Sequence, residues 1–265
     1  MRPEPMNLKS TPSQALLLRA YNLAWLLARP LLSRFPRTAP GLHKRQQQSL
    51  SPRPVDIWIQ AASAGEAALT ATIIDRWPQD RPVRILATTN TPQGMDILKQ
   101  FTPLGTTELL PAYCPLDRVP EVQRFLQAYT PNLVVLLETE LWPGLLAACK
   151  AQGTPILLLN GRMTPGSLAR YLVLHSFWQT LAPDRIMAVD EGEAMRFRAL
   201  FPRQEIRVVP NIKFERCRPE QFINYADNPL AGLIKPQNKL MVMGSIRRQE
   251  EQPILGCIAE LMHKR

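Results

Sequence analysis

The sequence predicts an α/β fold, a doubly wound, Rossmann-like parallel sheet with helices on both faces. Three observations carry that expectation. Seven short segments between Val55 and Pro210 are almost continuously apolar, as strands buried on both faces are. Stretches with helical spacing separate them, as the crossovers of a parallel sheet require. Many of the 26 prolines stand where helices and loops should begin, so they punctuate this pattern.

Taken in order, residues 14–33 (QALLLRAYNLAWLLARPLLS) come first. They are strongly apolar, but Arg19 and Arg29 interrupt them, leaving nine residues between the two charges. A bilayer crossing needs about 20, so a surface-lying helix is expected. Leu16, Leu23, Leu27 and Leu31 recur near helical spacing, and Tyr21 and Trp25 suit headgroup depth. The formal charge is +10, and residues 1–55 hold nine cations against the single acid Glu4. Cations crowded beside an apolar helix read as a membrane-surface signature rather than a nucleic-acid-binding face. An amphipathic helix packing on its own domain is the alternative. Pro36, Pro40, Pro52 and Pro54 mark residues up to 53 as a basic linker.

The domain proper is expected over 54–215. Strands are predicted at 55–63, 83–89, 106–112, 132–138, 155–161, 185–190 and 205–210, with helices near 65–77, 92–101, 118–129, 142–152, 165–181 and 191–201. Residues 216–265 read as a connector, one strand at 239–245 and one helix at 248–264. These are too few to bury a core alone, and suggest the start of a second, incomplete lobe. Cys114, Cys149, Cys217 and Cys257 form no C-x-x-C pair, so reduced structural cysteines are expected, and no metal ligand set or cofactor motif is visible.

In such a sheet ligands meet the carboxyl ends of the strands. There the first strand runs into Ser63-Ala64-Gly65-Glu66, where Gly65 suits a tight turn and Glu66 falls in a helix's first turn. A carboxylate at that mouth suits a general base acting on a hydroxyl nucleophile; a plain helix-start acid is the alternative. The same stretch is a degenerate nucleophile elbow, but His175 and His263 are poorly placed for a serine hydrolase triad. The second strand leads to Thr89, the N-cap candidate Thr91, and Gly94, whose hydroxyls and amides could hold an anionic group. The fourth ends in Glu138, Glu140 and Trp142, two carboxylates for hydroxyls and an indole for a sugar face. Arg162 follows the fifth, a candidate for an anionic group.

WIQAASAGE (58–66), TTNTPQG (88–94), Tyr113-x-Pro115-x-Asp117, ETELWP (138–143), NGRMTPGS (160–167) and NIKFE (211–215) together resemble the Kdo transferases, which attach 3-deoxy-octulosonic acid during lipopolysaccharide assembly. The resemblance implies the N-terminal lobe of a two-lobe, GT-B-like glycosyltransferase at the cytoplasmic face of the inner membrane. It implies CMP-Kdo as donor, a lipid A precursor as acceptor, Glu66 as base with inversion, and neither metal nor cofactor. Ser63, Gly65, Thr89, Thr91, Gly94, Glu138, Glu140, Trp142, Arg162 and Lys213 would bind substrate. The departures are Gln60 for the family's usual histidine, Gly161 for alanine, Pro210 for glycine, and a GSIRRQEE segment (244–251) without the usual core. A separately encoded C-terminal lobe would complete the donor site. A noncatalytic relative that binds membrane or lipid A precursor is the other reading.

Overall fold

In a computed structural model that describes residues 12–34, 39–78, 80–216, 232 and 241–263, all seven predicted strands are present. They are β1 Ile57–Ala61, β2 Val83–Thr89, β3 Thr107–Tyr113, β4 Leu133–Leu137, β5 Ile156–Gly161, β6 Arg185–Ala188 and β7 Glu205–Val208. All pair in parallel, in the order β3-β2-β1-β4-β5-β6-β7. The chain therefore winds outward from β1 through β2 to β3, then returns to β4 and winds the other way. The sheet's topological switch lies between β1 and β4.

The period-2 alternation of each strand divides the core into two layers. Trp58, Leu86, Val134, Leu136 and Leu158 face one layer, with α5 (Val119–Tyr129), α6 (Pro143–Gln152), α8 (His175–Thr180) and α9 (Glu191–Leu200). Ile57, Ile59, Ala61, Ile85 and Ala87 face the other, with α3 (Ala64–Asp75) and α4 (Pro92–Gln100). Trp58 is fully buried, its ring 4.9 Å from that of Phe125. Proline stands in the first turn of α4, α5, α6 and α7 (Pro165–Leu172), and Ser63, Thr91, Thr164 and Asp190 cap their helices. Cys114 and Cys149 are buried free thiols, and burial pushes the Cys114 thiol up to about 12. Cys257 is exposed, and Cys217 lies outside the described residues.

The structure departs from the sequence reading in four places. The basic linker holds a helix, α2 (Ala39–Gln47), docked on the domain. Gly41 of α2 packs on the Asn90 carbonyl, and Arg45 donates to the carbonyls of Cys114 (2.7 Å) and Pro115 (2.5 Å). The Gln48 side chain bridges Tyr113, accepting from its N–H at 3.0 Å and donating to its carbonyl at 2.5 Å. Second, the expected 165–181 helix is two, because Leu174 (φ −118°, ψ 43°) leaves the helical region and lets Phe177 and Trp178 turn into the core. Third, Glu138 lies beyond β4, at φ 56°. Fourth, residues 241–245 form no strand; 239 and 240 lie outside the described residues.

The long first helix, α1 (Pro12–Leu32), matches expectation in extent, and no helix among the described residues is long and apolar enough to cross a membrane. Leu17 and Leu18 pack on the core, while Leu16, Leu23, Leu27 and Leu31 are exposed. The chain divides into two compact units, Met1–Cys217 and Arg218–Arg265. Within the second, the described residues form a 3-10 turn at Arg248–Glu250 and α10 (Glu251–His263). Most of the predicted connector at 216–236 lies outside the described residues.

Candidate active site at the switch between β1 and β4

Glu66 enters the site through its own helix cap. Ser63 is the N-cap of α3, extended at φ −123° and ψ 168°, and its hydroxyl accepts from the Glu66 N–H at 3.3 Å. The Glu66 carboxylate folds back: one oxygen accepts from the Ala62 N–H at 2.7 Å, the other from the Ser63 hydroxyl at 3.0 Å. This is a variant of the capping box. The side chain is thus both a structural cap and a fixed carboxylate, since ionised oxygens keep further lone pairs. Burial raises its pKa above the usual carboxylate range. The Ala62 and Ser63 hydrogen bonds oppose that rise, nearby Glu138 adds to it, and Lys213 lowers it.

The next strand over supplies the other acids. Glu138 takes the left-handed backbone region, and its N–H donates to the Leu159 carbonyl at 3.1 Å. The Arg162 N–H donates to the Glu138 carbonyl at 3.3 Å, and the Thr139 hydroxyl to the Arg162 carbonyl at 2.6 Å. The turns after β4 and β5 are therefore tied to each other. Asn160, fully buried at φ 58°, accepts from the Ile212 N–H at 3.0 Å and so folds the 3-10 turn Ile212–Arg216 back onto the domain. That places the Lys213 ammonium on the Glu138 carboxylate as an ion pair. The Trp142 indole N–H donates to Glu140, and the ring leans partly into the core.

Glu140 is pushed up to about 7, first by burial and then by the charge of Glu66, with Glu138 and Asp117 adding; the Trp142 hydrogen bond opposes the rise. Glu66 and Glu140 thus both feel the charge of Glu138, and Glu140 also that of Glu66, at the switch point. A carboxyl whose folded pKa is raised favours the folded state while protonated, so its contribution is lost as pH climbs through that value. Melting temperature is expected to fall between pH 5 and 8 in the parent chain, and to fall less in Glu140→Gln. An unchanged slope in Glu140→Gln would remove Glu140 as the cause.

Thr89, Thr91 and Gly94 form a second cluster. Thr91 is the N-cap of α4 and accepts from the Gly94 N–H at 3.1 Å. The buried Thr89 hydroxyl, without a hydrogen-bond partner, lies against Gly94. Ala61 and Thr89 are register partners, so this cluster flanks the β1 end. Among the described residues no hydrogen bond joins it to Glu66. The Arg162 side chain is exposed, and its backbone, not its guanidinium, makes the bonds found here.

Gly65 corrects the sequence reading. It does not adopt positive φ, and an added Cβ would meet only Ser63 Oγ, at 3.8 Å, so the turn does not require glycine. At Gly94 an added Cβ would collide with the Thr89 hydroxyl. Gly65→Ala is expected to leave stability unchanged or raise it by up to about 1 kcal/mol. Gly94→Ala should cost about 1–3 kcal/mol by overpacking. Denaturant melts of the two variants check the contrast.

Sequence reasoning missed two features. Asp117, buried, accepts from the Gly144 and Leu145 N–H groups at the start of α6 (3.1 and 2.6 Å) and from the Tyr21 hydroxyl of α1 (2.6 Å). The sole signal was its place in the Tyr113-x-Pro115-x-Asp117 segment. The second is a buried polar chain: the Trp58 indole donates to the Thr88 hydroxyl at 2.7 Å, Thr88 donates to Gln60, and the Gln60 amide reaches Asn90 at 3.4 Å. Gln60 is therefore fully buried yet hydrogen-bonded.

Residues 29–216 match the family described as 3-deoxy-D-manno-octulosonic-acid transferase (kdotransferase). The 3-deoxy-D-manno-octulosonic acid transferase of Haemophilus influenzae is 29% identical over 80% of this chain and 50% of its own length. That of Rickettsia bellii is 30% identical over 85% and 51%. The chain thus spans about half the length of these curated relatives. A solved structure, the UDP-GlcNAc 2-epimerase from Neisseria meningitidis bound to UDP-GlcNAc, aligns at a TM-score of 0.43 and 14% identity, covering 59% of this chain and 47% of that one.

Proposed function

This chain belongs to the 3-deoxy-D-manno-octulosonic-acid (Kdo) transferase family, and from that premise we propose that it forms the acceptor-side lobe of an inverting enzyme that transfers Kdo from CMP-Kdo to a lipid A precursor. A C-terminal lobe, in the same or a separate polypeptide, holds the donor. The observation that carries the reading is Glu66, a fixed and partly desolvated carboxylate at the carboxyl end of β1, at the switch point where this architecture takes its ligands.

In the reaction Glu66 takes the proton of an acceptor hydroxyl while that oxygen attacks the anomeric carbon of Kdo. The bond to the CMP phosphate breaks on the opposite face, and its electron pair leaves with CMP. Glu138, Glu140 and Trp142 grip the acceptor sugar, Ser63 and Gly65 border it, and Thr89, Thr91 and Gly94 receive an anionic group. Arg162 and Lys213 add positive charge, although Lys213 must share itself with Glu138. The exposed leucines of α1 lie in the membrane surface on the cytoplasmic side. Exposed Leu172, Val173 and Leu174 join them, since Gln14 at the start of α1 reaches the Ser176 carbonyl at 3.3 Å.

Supplied with a family C-terminal lobe that binds CMP-Kdo, the chain should transfer Kdo to a lipid A precursor and float with anionic vesicles, and Leu27→Glu should abolish flotation. A mixture that binds donor but transfers nothing would rule out the catalytic reading and leave the noncatalytic binding role.

A further inference from the structure

A polar cavity lies away from the acids just described, where α1, α2 and α5 meet beside the loop after β3. Its volume is about 260 Å³, and Arg29, Arg45 and Arg124 line it together with Pro115, Glu121 and Phe125. That is below the roughly 300–1,000 Å³ of sites for drug-sized ligands, and suits a small polar group. The one carboxylate in its lining, Glu121, is already engaged, since Arg118 binds it at 2.7 Å, and Asp117 lies close enough to Arg45 to feel its charge. Arg45 is aimed rather than free to wander. Its Nε and one Nη donate to the Cys114 and Pro115 carbonyls, which fixes the plane of the guanidinium in the cavity wall. Arg124 is exposed and makes no hydrogen bond or ion pair among the described residues. Like charges brought together around a hollow repel one another, and an anion with several acceptor oxygens relieves that repulsion. Guanidinium groups bind phosphate oxygens through paired N–H donors.

We propose that the cavity between α1, α2 and α5 is a phosphate-binding site, in which Arg45 and Arg124 hold the oxygens of a phosphomonoester and Arg29 closes the α1 side. The site does not depend on the transfer reaction, because none of its lining residues belongs to the cluster at the β1 and β4 ends. Two sources can bring the same chemistry, a phosphorylated lipid headgroup or a soluble phosphate compound.

Thermal melting of the full chain in inorganic phosphate, with chloride at matched ionic strength as control, tests the site. Phosphate should raise the melting temperature beyond chloride, and Arg124→Gln should raise the phosphate concentration for half the effect by about tenfold. Arg124 is exposed, so its variant should fold normally in the absence of phosphate. Flotation with phosphatidylcholine vesicles carrying either phosphatidic acid or phosphatidylglycerol, at equal surface charge, then separates the sources. Excess binding to phosphatidic acid that Arg124→Gln removes assigns the group to a lipid headgroup. A phosphate effect without that excess assigns it to a soluble compound. Equal responses to phosphate and chloride, or equal phosphate responses in parent and Arg124→Gln, would overturn the site.

Discussion

Replacing Glu66 by glutamine is expected to slow Kdo transfer by about 10²–10⁴-fold in the two-lobe enzyme, the usual contribution of a placed general base. The substitution keeps the size of the side chain and one oxygen to accept from the Ala62 N–H, so α3 should keep its cap. Stability should drop by about 1 kcal/mol or less, the worth of a first-turn charge. A rate loss without a stability loss separates base from cap. Collapse of the fold with little effect per folded molecule would leave Glu66 a helix-start residue only. The pH profile gives a further reading. Burial lifts the Glu66 pKa, so the acidic limb of kcat/KM should lie above the range of an ordinary carboxylate, with activity lost as pH falls through it.

Asp117→Ala is expected to be among the most destabilising changes in this part of the protein, costing about 3 kcal/mol. It strips acceptors from two N–H groups at the start of α6 and from the Tyr21 hydroxyl, and buried donors left unpaired cost about 1–3 kcal/mol each before relaxation and water offset part of it. Tyr21→Phe removes one bond only and should cost about 1 kcal/mol. Urea melts of both variants give the comparison, and a loss under about 1 kcal/mol in Asp117→Ala would mean that water replaces the carboxylate. Gly144 fits the same joint: an added Cβ would come within 2.5 Å of the Asp117 carbonyl oxygen. The segment carrying Glu140 and Trp142 thus enters a helix clamped to α1.

The strands and the position of Glu66 were legible because they depend on neighbours in sequence. Runs such as LVVLL in β4 declare burial on both faces, and an acid five residues beyond β1 falls in the first turn of α3. Asp117 was not legible as a clamp, because its partners Tyr21 and Gly144 lie 96 and 27 residues away. Helix α2 was hidden by composition: prolines and polar residues surround it, and what fixes it is a close approach of Gly41 to Asn90 and the reach of Arg45 to distant carbonyls. Gly65 misled for the opposite reason. Its identity suggested a conformational need that its backbone does not have.

The Gln48 bridge to Tyr113 bears on how this protein can be shortened. β3 is the outermost strand on its side, and an outermost strand offers unpaired N–H and C=O groups to any other extended chain. The Gln48 amide occupies both groups of Tyr113, the last residue of β3, as a strand neighbour would. A truncation that removes everything through residue 50, intended only to detach the apolar helix, would also unmask that edge. Such a fragment would be prone to pair edge to edge with another copy and precipitate. A cut placed before Ala39 leaves the edge covered.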